Sequence, residues 1–224
     1  MTLNGKILKP SIIKSIDNDQ TEIIRNILKL HVPNKLIDCD CTYSQGIFYK
    51  NGKVPQPKLK FDINPQTKDT IKADSRRLPL LDNSLSCIMF DPPFLISKGP
   101  SLKKIVKGSN VISTRFSSFE STQELYSYYF HSLKEFNRIL KDNGIVIFKC
   151  QDTVSSGKNY LSHYFILNMA IGIGFYPKDL FILAASNRII GNINHQIHAR
   201  KFHSYFLVLE KSNKFISIYN ILIR

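Results

Sequence analysis

Acidic residues are scarce: 17 Asp and Glu stand against 31 Lys and Arg in 224 residues, a formal charge of +14. Solubility requires far less, so the imbalance points to a polyanionic partner, nucleic acid ahead of a membrane surface. Long apolar runs are also missing. No stretch reaches the roughly 18 consecutive apolar residues of a membrane-spanning helix. The opening MTLNGKILKPSIIKS lacks the unbroken apolar core and small-residue cleavage site of a secretory signal, so a cytoplasmic protein is expected. Cys39, Cys41, Cys87 and Cys150 make no CxxC pair and no extracellular framework, and reduced, mostly buried thiols follow. Internal repeats and low-complexity tracts are absent too. What remains, with 43% hydrophobic residues, is the composition of one compact domain, expected over 1–224 with basic loop insertions at about 95–119 and 186–203.

Strand-like and helix-like patterns alternate along the chain. TEIIRNILKL, from Thr21, spaces Ile23, Ile24, Ile27, Leu28 and Leu30 as one helical stripe, with Thr21 placed to cap it. Short strands are expected in LIDCD, in KLKFDINP ending at Phe61, and in TIKAD ending at Ala73. SLSCIMF carries the near-continuous apolar run of a strand buried on both faces, and Pro92 and Pro93 end it. A second helix is predicted from Gln123 to Leu140, stopped by Asn143-Gly144. GIVIFKC, DLFILAA and HSYFLVLEK read as further strands, and YLSHYFILNMAIGIG as a helix between the first two. Such alternation predicts an α/β fold with a mainly parallel sheet covered on both faces, ligands gathering at the carboxyl ends of the strands. Asp40, Asp62, Asp74 and Asp91 each follow a predicted strand, so four carboxylates are expected on one rim.

Asp91-Pro92-Pro93-Phe94 is the sharpest local signal. Two prolines remove two backbone donors and stiffen the turn, leaving carbonyls free as acceptors. A carboxylate, an unpaired carbonyl and an aromatic face suit a planar base with an exocyclic amino group: two acceptors for its two N–H bonds and a ring for stacking. A proline-terminated strand with a core Phe would share the tetrapeptide.

On these residues the sequence resembles the class I S-adenosylmethionine-dependent DNA amino-methyltransferases, N6-adenine or N4-cytosine type, whose [D/N/S]PP[Y/F/W] motif Asp91 to Phe94 match. The likeness runs from about Lys35 to Lys211. Asp40-Cys-Thr-Tyr-Ser-Gln-Gly46 looks like the cofactor loop, FDINP like the acidic second motif, and ADSRRLPLLDNSLSCIMFDPPF like the third running into the fourth. The resemblance implies a Rossmann-like methyltransferase fold and S-adenosyl-L-methionine as cofactor. It also implies cofactor contacts from Asp40, Thr42, Tyr43, Ser44, Gly46, Asp62 (ribose hydroxyls) and Asp74 (adenine ring), with Asp91, Pro92, Pro93 and Phe94 at the transferring centre. Ser44 stands where the family usually has glycine.

A target atom inside a duplex is out of reach, so a duplex base would be flipped into such a pocket. From Leu95 to Phe119 there is no acid but Lys98, Lys103, Lys104, Lys107 and Arg115; from Asn187 to Ser204 there are Arg188, Arg200, Lys201 and three histidines, again without acid. Both are expected to face DNA, with RNA as the rival partner. The histidine spacing does not suit zinc, and no metal is expected. Lys149, Gln151 and Asp152, ending GIVIFKC, are expected on the rim with open roles. Adenine in DNA is the expected target, because the Asp-initial motif favours it within the family; N4-cytosine, an RNA base and an inert nucleic-acid-binding relative are the alternatives.

Overall fold

A computed structural model of the chain describes residues 2–3, 6–7, 12–94, 119, 121–155, 157–185 and 196–212. Two small hairpins, β1–β2 (Thr2–Leu3, Lys6–Ile7) and β9–β10 (Thr153–Ser155, Lys158–Tyr160), lie outside the main sheet. That sheet has eight strands: β3 (Ile16–Asp17), β4 (Cys39–Asp40), β5 (Leu59–Asp62), β6 (Ile71–Lys72), β7 (Leu85–Phe90), β8 (Leu140–Cys150), β11 (Phe175–Ala184) and β12 (His203–Lys211). Their order across it is β3-β11-β12-β8-β7-β4-β5-β6. From β6 to β8 every pairing is parallel, and β12 runs antiparallel to both β8 and β11.

Each face is covered by helix. Helix α1 (Gln20–His31) buries Ile23, Ile24, Ile27 and Leu28 in one core with Ile145, Ile147, Phe206 and Val208. Helices α2 (Thr122–Ile139) and α3 (Ser162–Ile173) pack Leu133, Phe136, Ile166 and Ala170 against Phe90, Phe148 and Leu207 on the other. The alternate residues of β7 and β8 therefore enter two separate cores, which is why both strands read as continuous apolar runs. Phe90, Phe136 and Phe148 are wholly buried, and Phe90 meets each of the other two edge to face at 4.9 Å. Full burial contributes about 1.5–3 kcal/mol per such side chain.

Several local expectations change. Asp19, not Thr21, caps α1, its carboxylate accepting from the Thr21 amide at 2.8 Å. The LIDCD strand shrinks to Cys39–Asp40; just before it, the Asp38 carboxylate accepts the Ser86 and Cys87 amides of β7 at 2.8 and 3.2 Å. Helix α2 ends at Ile139 and β8 begins at once. Asn143-Gly144 sits inside β8, where its register with β7 jumps from Leu140 opposite Leu85 to Ile145 opposite Cys87.

The sheet grows outward in opposite directions from the neighbours β4 and β7, to β5 and β6 on one side and to β8 on the other. Such a reversal opens a crevice at the carboxyl ends of the two middle strands. Asp40 ends β4 and Asp91 follows β7, so the sharpest sequence motif lies at the position the topology opens.

Candidate cofactor and base site

A cavity of about 320 Å³ occupies this crevice, within the usual range of ligand pockets. Ser44, Asp62, Ser75, Tyr128, Asp91 and Pro93 are among the residues that line it.

The four rim carboxylates divide into different roles. Asp40 is 1% exposed. Its Oδ1 accepts from the Thr42 amide at 2.9 Å and its Oδ2 from the Tyr49 hydroxyl at 2.7 Å, so it ties the following loop down from inside. Burial pushes its carboxyl up to about 7 despite those two hydrogen bonds. Asp62 faces the cavity, accepting the Ser44 amide on Oδ2 and the Asn64 amide on Oδ1, both at 2.8 Å. Its carboxyl is raised by burial, and no cation pairs with it among the described residues. Asp74 instead takes a fork from Arg76, with Nη2 at 2.6 Å, and that bond holds its carboxyl below the ordinary range. Ser75 and Arg76, rather than Asp74, reach the cavity wall.

The loop after β4 carries two left-handed residues, Ser44 at φ +48° and Gly46 at φ +63°. Ser44 thus keeps the backbone conformation that glycine adopts at no steric cost, and the Asp62 bond to its amide holds it there. At Gly46 a Cβ would fall 2.4 Å from the Tyr43 hydroxyl, so the bend admits no side chain while Tyr43 stays in place. Tyr43 is held by stacking on Tyr49 at 5.6 Å and by donating to Gln56 at 2.7 Å. It supports the loop from behind and does not line the cavity.

The proline turn is anchored on three sides. The Asp91 amide donates to Thr42 Oγ1 at 2.7 Å, joining the turn to the β4 loop. The Tyr129 hydroxyl donates to the Pro93 carbonyl at 3.0 Å. Lys149 Nζ lies 3.2 Å from Asp91 Oδ2, resting over the rings of Phe48 and Phe206 at 5.0 and 5.7 Å. Pro92 is buried, and Phe94 is half-buried without lining the cavity.

Sequence reasoning missed Tyr129, and on the cavity wall Ser75, Glu124, Ser127 and Tyr128. The Ser75 hydroxyl donates to Tyr128 Oη at 2.8 Å and meets Ser132 Oγ at 2.9 Å, a polar seam between the β6 loop and α2. Burial pushes the Tyr128 phenol up to about 12. Tyr128 and Tyr129 fall at helical spacing with Leu125, Leu133 and Phe136, and nothing in such a stripe distinguishes a hydroxyl that reaches a site. Lys149, expected on the rim with an open role, pairs with Asp91: β7 lies beside β8 with Phe90 opposite Phe148, which sets Asp91 and Lys149 level. Lys98, Lys103, Lys104, Lys107, Arg115 and Arg188 lie outside the described residues. Arg200 is exposed and Lys201 half-buried, its carbonyl accepting from Gln151 Nε2 at 3.3 Å beside the end of β8.

Residues 85–222 match the sequence model of a family described as DNA methylase, more than half of the chain. No curated protein matches the chain. Among solved structures, a putative DNA modification methylase from Thermus thermophilus, complexed with S-adenosyl-L-methionine, aligns at 14% identity and TM-score 0.42, over 64% of this chain and 55% of that one. The cytosine-N4-specific PvuII DNA methyltransferase aligns at 16% identity and TM-score 0.46, over 62% and 48%. The [4+2]-cyclase SpnF aligns at 10% identity and TM-score 0.50, over 86% and 79%. This chain spans about half the length of the DNA methylases it matches. Its sheet is the Rossmann-like α/β sheet of class I methyltransferases. With the family match covering the DPPF turn and running on to residue 222, the chain belongs to the DNA methylase family, the S-adenosylmethionine-dependent amino-methyltransferases of N6-adenine and N4-cytosine type.

Proposed function

We propose that this chain methylates the exocyclic amino group of adenine in DNA, with S-adenosyl-L-methionine as donor and the target base turned out of the duplex. The observation that carries the proposal is one cavity lined together by Asp62, Ser44, Asp91 and Pro93. The residues fit a nucleoside cofactor: a carboxylate with no cation beside it among the described residues accepts hydroxyl hydrogens, and the loop that puts Ser44 on the cavity wall is shaped by the bend at Gly46, where Tyr43 leaves no room for a side chain. When bound, S-adenosylmethionine supplies an electrophilic methyl group on a sulfonium.

The amino nitrogen of adenine is a weak nucleophile because its lone pair is delocalised into the ring. Asp91 and the Pro92 carbonyl are assigned as its two acceptors. As positive charge builds on the nitrogen their hydrogen bonds strengthen, which stabilises the transition state more than the ground state. Lys149 fixes Asp91 Oδ2, leaving Oδ1 for the substrate, and Thr42 fixes the backbone beneath it. Phe94 is assigned to stack on the base, an interaction worth about 1–3 kcal/mol per base on aromatic platforms. The Asp-initial motif supports adenine over cytosine. The test is to incubate the purified chain and labelled cofactor with DNA and RNA together, then identify the methylated nucleoside by mass spectrometry. N6-methyldeoxyadenosine is expected; label in N4-methyldeoxycytidine or in ribonucleosides alone would overturn the assignment.

A further inference from the structure

Beside the proline turn lies a surface that the assigned chemistry does not use. The β9–β10 hairpin, the first turn of α3 and residues 196–203 meet at the carboxyl end of β8. Hydrogen bonds join the three: His198 Nε2 to the Gly157 carbonyl at 2.8 Å, Gln151 Nε2 to the Lys201 carbonyl at 3.3 Å, and His163 Nδ1 to Asp152 Oδ1 at 2.8 Å. The His163 ring lies against Tyr205 at 4.4 Å, and the Tyr205 hydroxyl contacts both His203 at 2.9 Å and Asp152 at 3.4 Å.

Two properties of this surface are unusual together. Its charge is of one sign: Asp152 is the only acid between residues 151 and 178, it is 3% exposed, and 196–209 contains none. Lys158 and Arg200 stand exposed beside it. Its apolar side chains are also open to solvent, with Tyr164 56% and Phe165 43% exposed. These rings continue inward. Phe165 packs on Tyr126 at 5.2 Å, Tyr126 faces Tyr129 at 6.2 Å, and Tyr129 holds the Pro93 carbonyl. An aromatic path therefore connects the exposed face to the turn assigned to the base.

We infer that this face binds the DNA strand that carries the target base, through contacts to phosphates by Lys158 and Arg200 and through stacking of a neighbouring base on Tyr164 or Phe165. The inference rests on the proposed DNA methyltransferase reading. Exposed cations without acids in the same segments suit phosphate, and exposed rings suit unstacked bases, the combination that single-strand sites use. Asp152 serves here as a buried pin: it orients His163 and Tyr205 and leaves no anion on the surface.

Binding of the 224-residue chain to a fluorescein-labelled 20-nucleotide single-stranded DNA, followed by anisotropy across salt concentrations, tests this directly. The Lys158→Ala/Arg200→Ala double variant should bind about tenfold more weakly and lose about 1.4 from the salt slope, two contacts at about 0.7 each on single strands. Tyr164→Ala should weaken binding about fivefold or more with an unchanged slope, as loss of one stacked base requires. Wild-type affinity and slope in both variants would overturn the inference. Tighter binding to an RNA of the same sequence, lost in the same variants, would overturn its DNA assignment. Cofactor affinity, measured by calorimetry, separates this from the methyltransferase reading: the variants should keep it, whereas a wild-type chain without cofactor binding would count against that reading alone.

Discussion

Replacing Asp40 with Asn should change the pH dependence of stability more than any other single substitution at the site. Asp40 is 1% exposed, its two oxygens held by the Thr42 amide and the Tyr49 hydroxyl, with Asp62 and Asp91 as charged neighbours that oppose its ionisation. Burial raises its folded-state carboxyl from 3.8 to about 7. The folded protein therefore holds a proton that the unfolded chain has released throughout the window from about pH 4 to pH 7, and stability falls as pH rises through it. At 1.36 kcal/mol per pH unit the full gap amounts to about 4 kcal/mol, of which about 2–3 kcal/mol falls between pH 5 and pH 8. The amide introduced by Asp40→Asn does not titrate, and it can take the place of the carboxyl if the Tyr49 hydroxyl turns to accept. Urea unfolding followed by far-UV circular dichroism, at pH 5 and pH 8 for both proteins, gives the difference directly. The stability of Asp40→Asn relative to wild type should rise by about 2–3 kcal/mol across that interval. A difference that does not move with pH would refute the claim that burial beneath the loop shifts the titration of this carboxyl.

Two further substitutions test the loop and the turn. Ser44→Gly removes a left-handed strain of about 1–2 kcal/mol while adding glycine's unfolded-state freedom of about 0.5–1 kcal/mol, so a net gain of about 0.5–1 kcal/mol is expected in the same unfolding assay; a loss of stability would show that the Ser44 side chain supports the loop. Tyr129→Phe leaves the Pro93 carbonyl without its 3.0 Å donor, which should lower stability by about 1–3 kcal/mol and reduce kcat with little change in cofactor affinity; unchanged turnover would separate Tyr129 from the positioning of the turn.

Legibility in the sequence followed how local each cause was. The strands Leu85–Phe90 and His203–Lys211 were readable because both lie between two cores, and double burial writes a continuous apolar run. Strands of two or three residues, such as Ile16–Asp17 and the Thr153–Ser155 hairpin arm, are too short to show any period. The insertion of β12 antiparallel between β8 and β11 leaves no trace in neighbouring residues, since it is a choice of partner. The Asp91-Pro92-Pro93 turn was readable because proline dictates its own geometry. Asp40 looked like a rim carboxylate because position after a strand is visible and depth is not. Asp74 paired with Arg76 across a tight turn, a contact between residues two apart that the spacing itself allowed. Lys149 was readable as a rim residue from its place at a strand end, but its partner Asp91 required the register of two strands separated by the whole of α2.

The central claim is that Asp91 acts on the amino nitrogen and not on cofactor binding. Steady-state methyl transfer from labelled S-adenosylmethionine to duplex DNA, with the cofactor Kd measured in parallel for wild type and Asp91→Asn, tests it most directly. The account predicts a kcat lowered by about 100-fold or more, as removal of a transition-state hydrogen-bond partner generally causes, with the cofactor Kd within about threefold of wild type. Wild-type turnover in Asp91→Asn, or a loss confined to cofactor affinity, would contradict it.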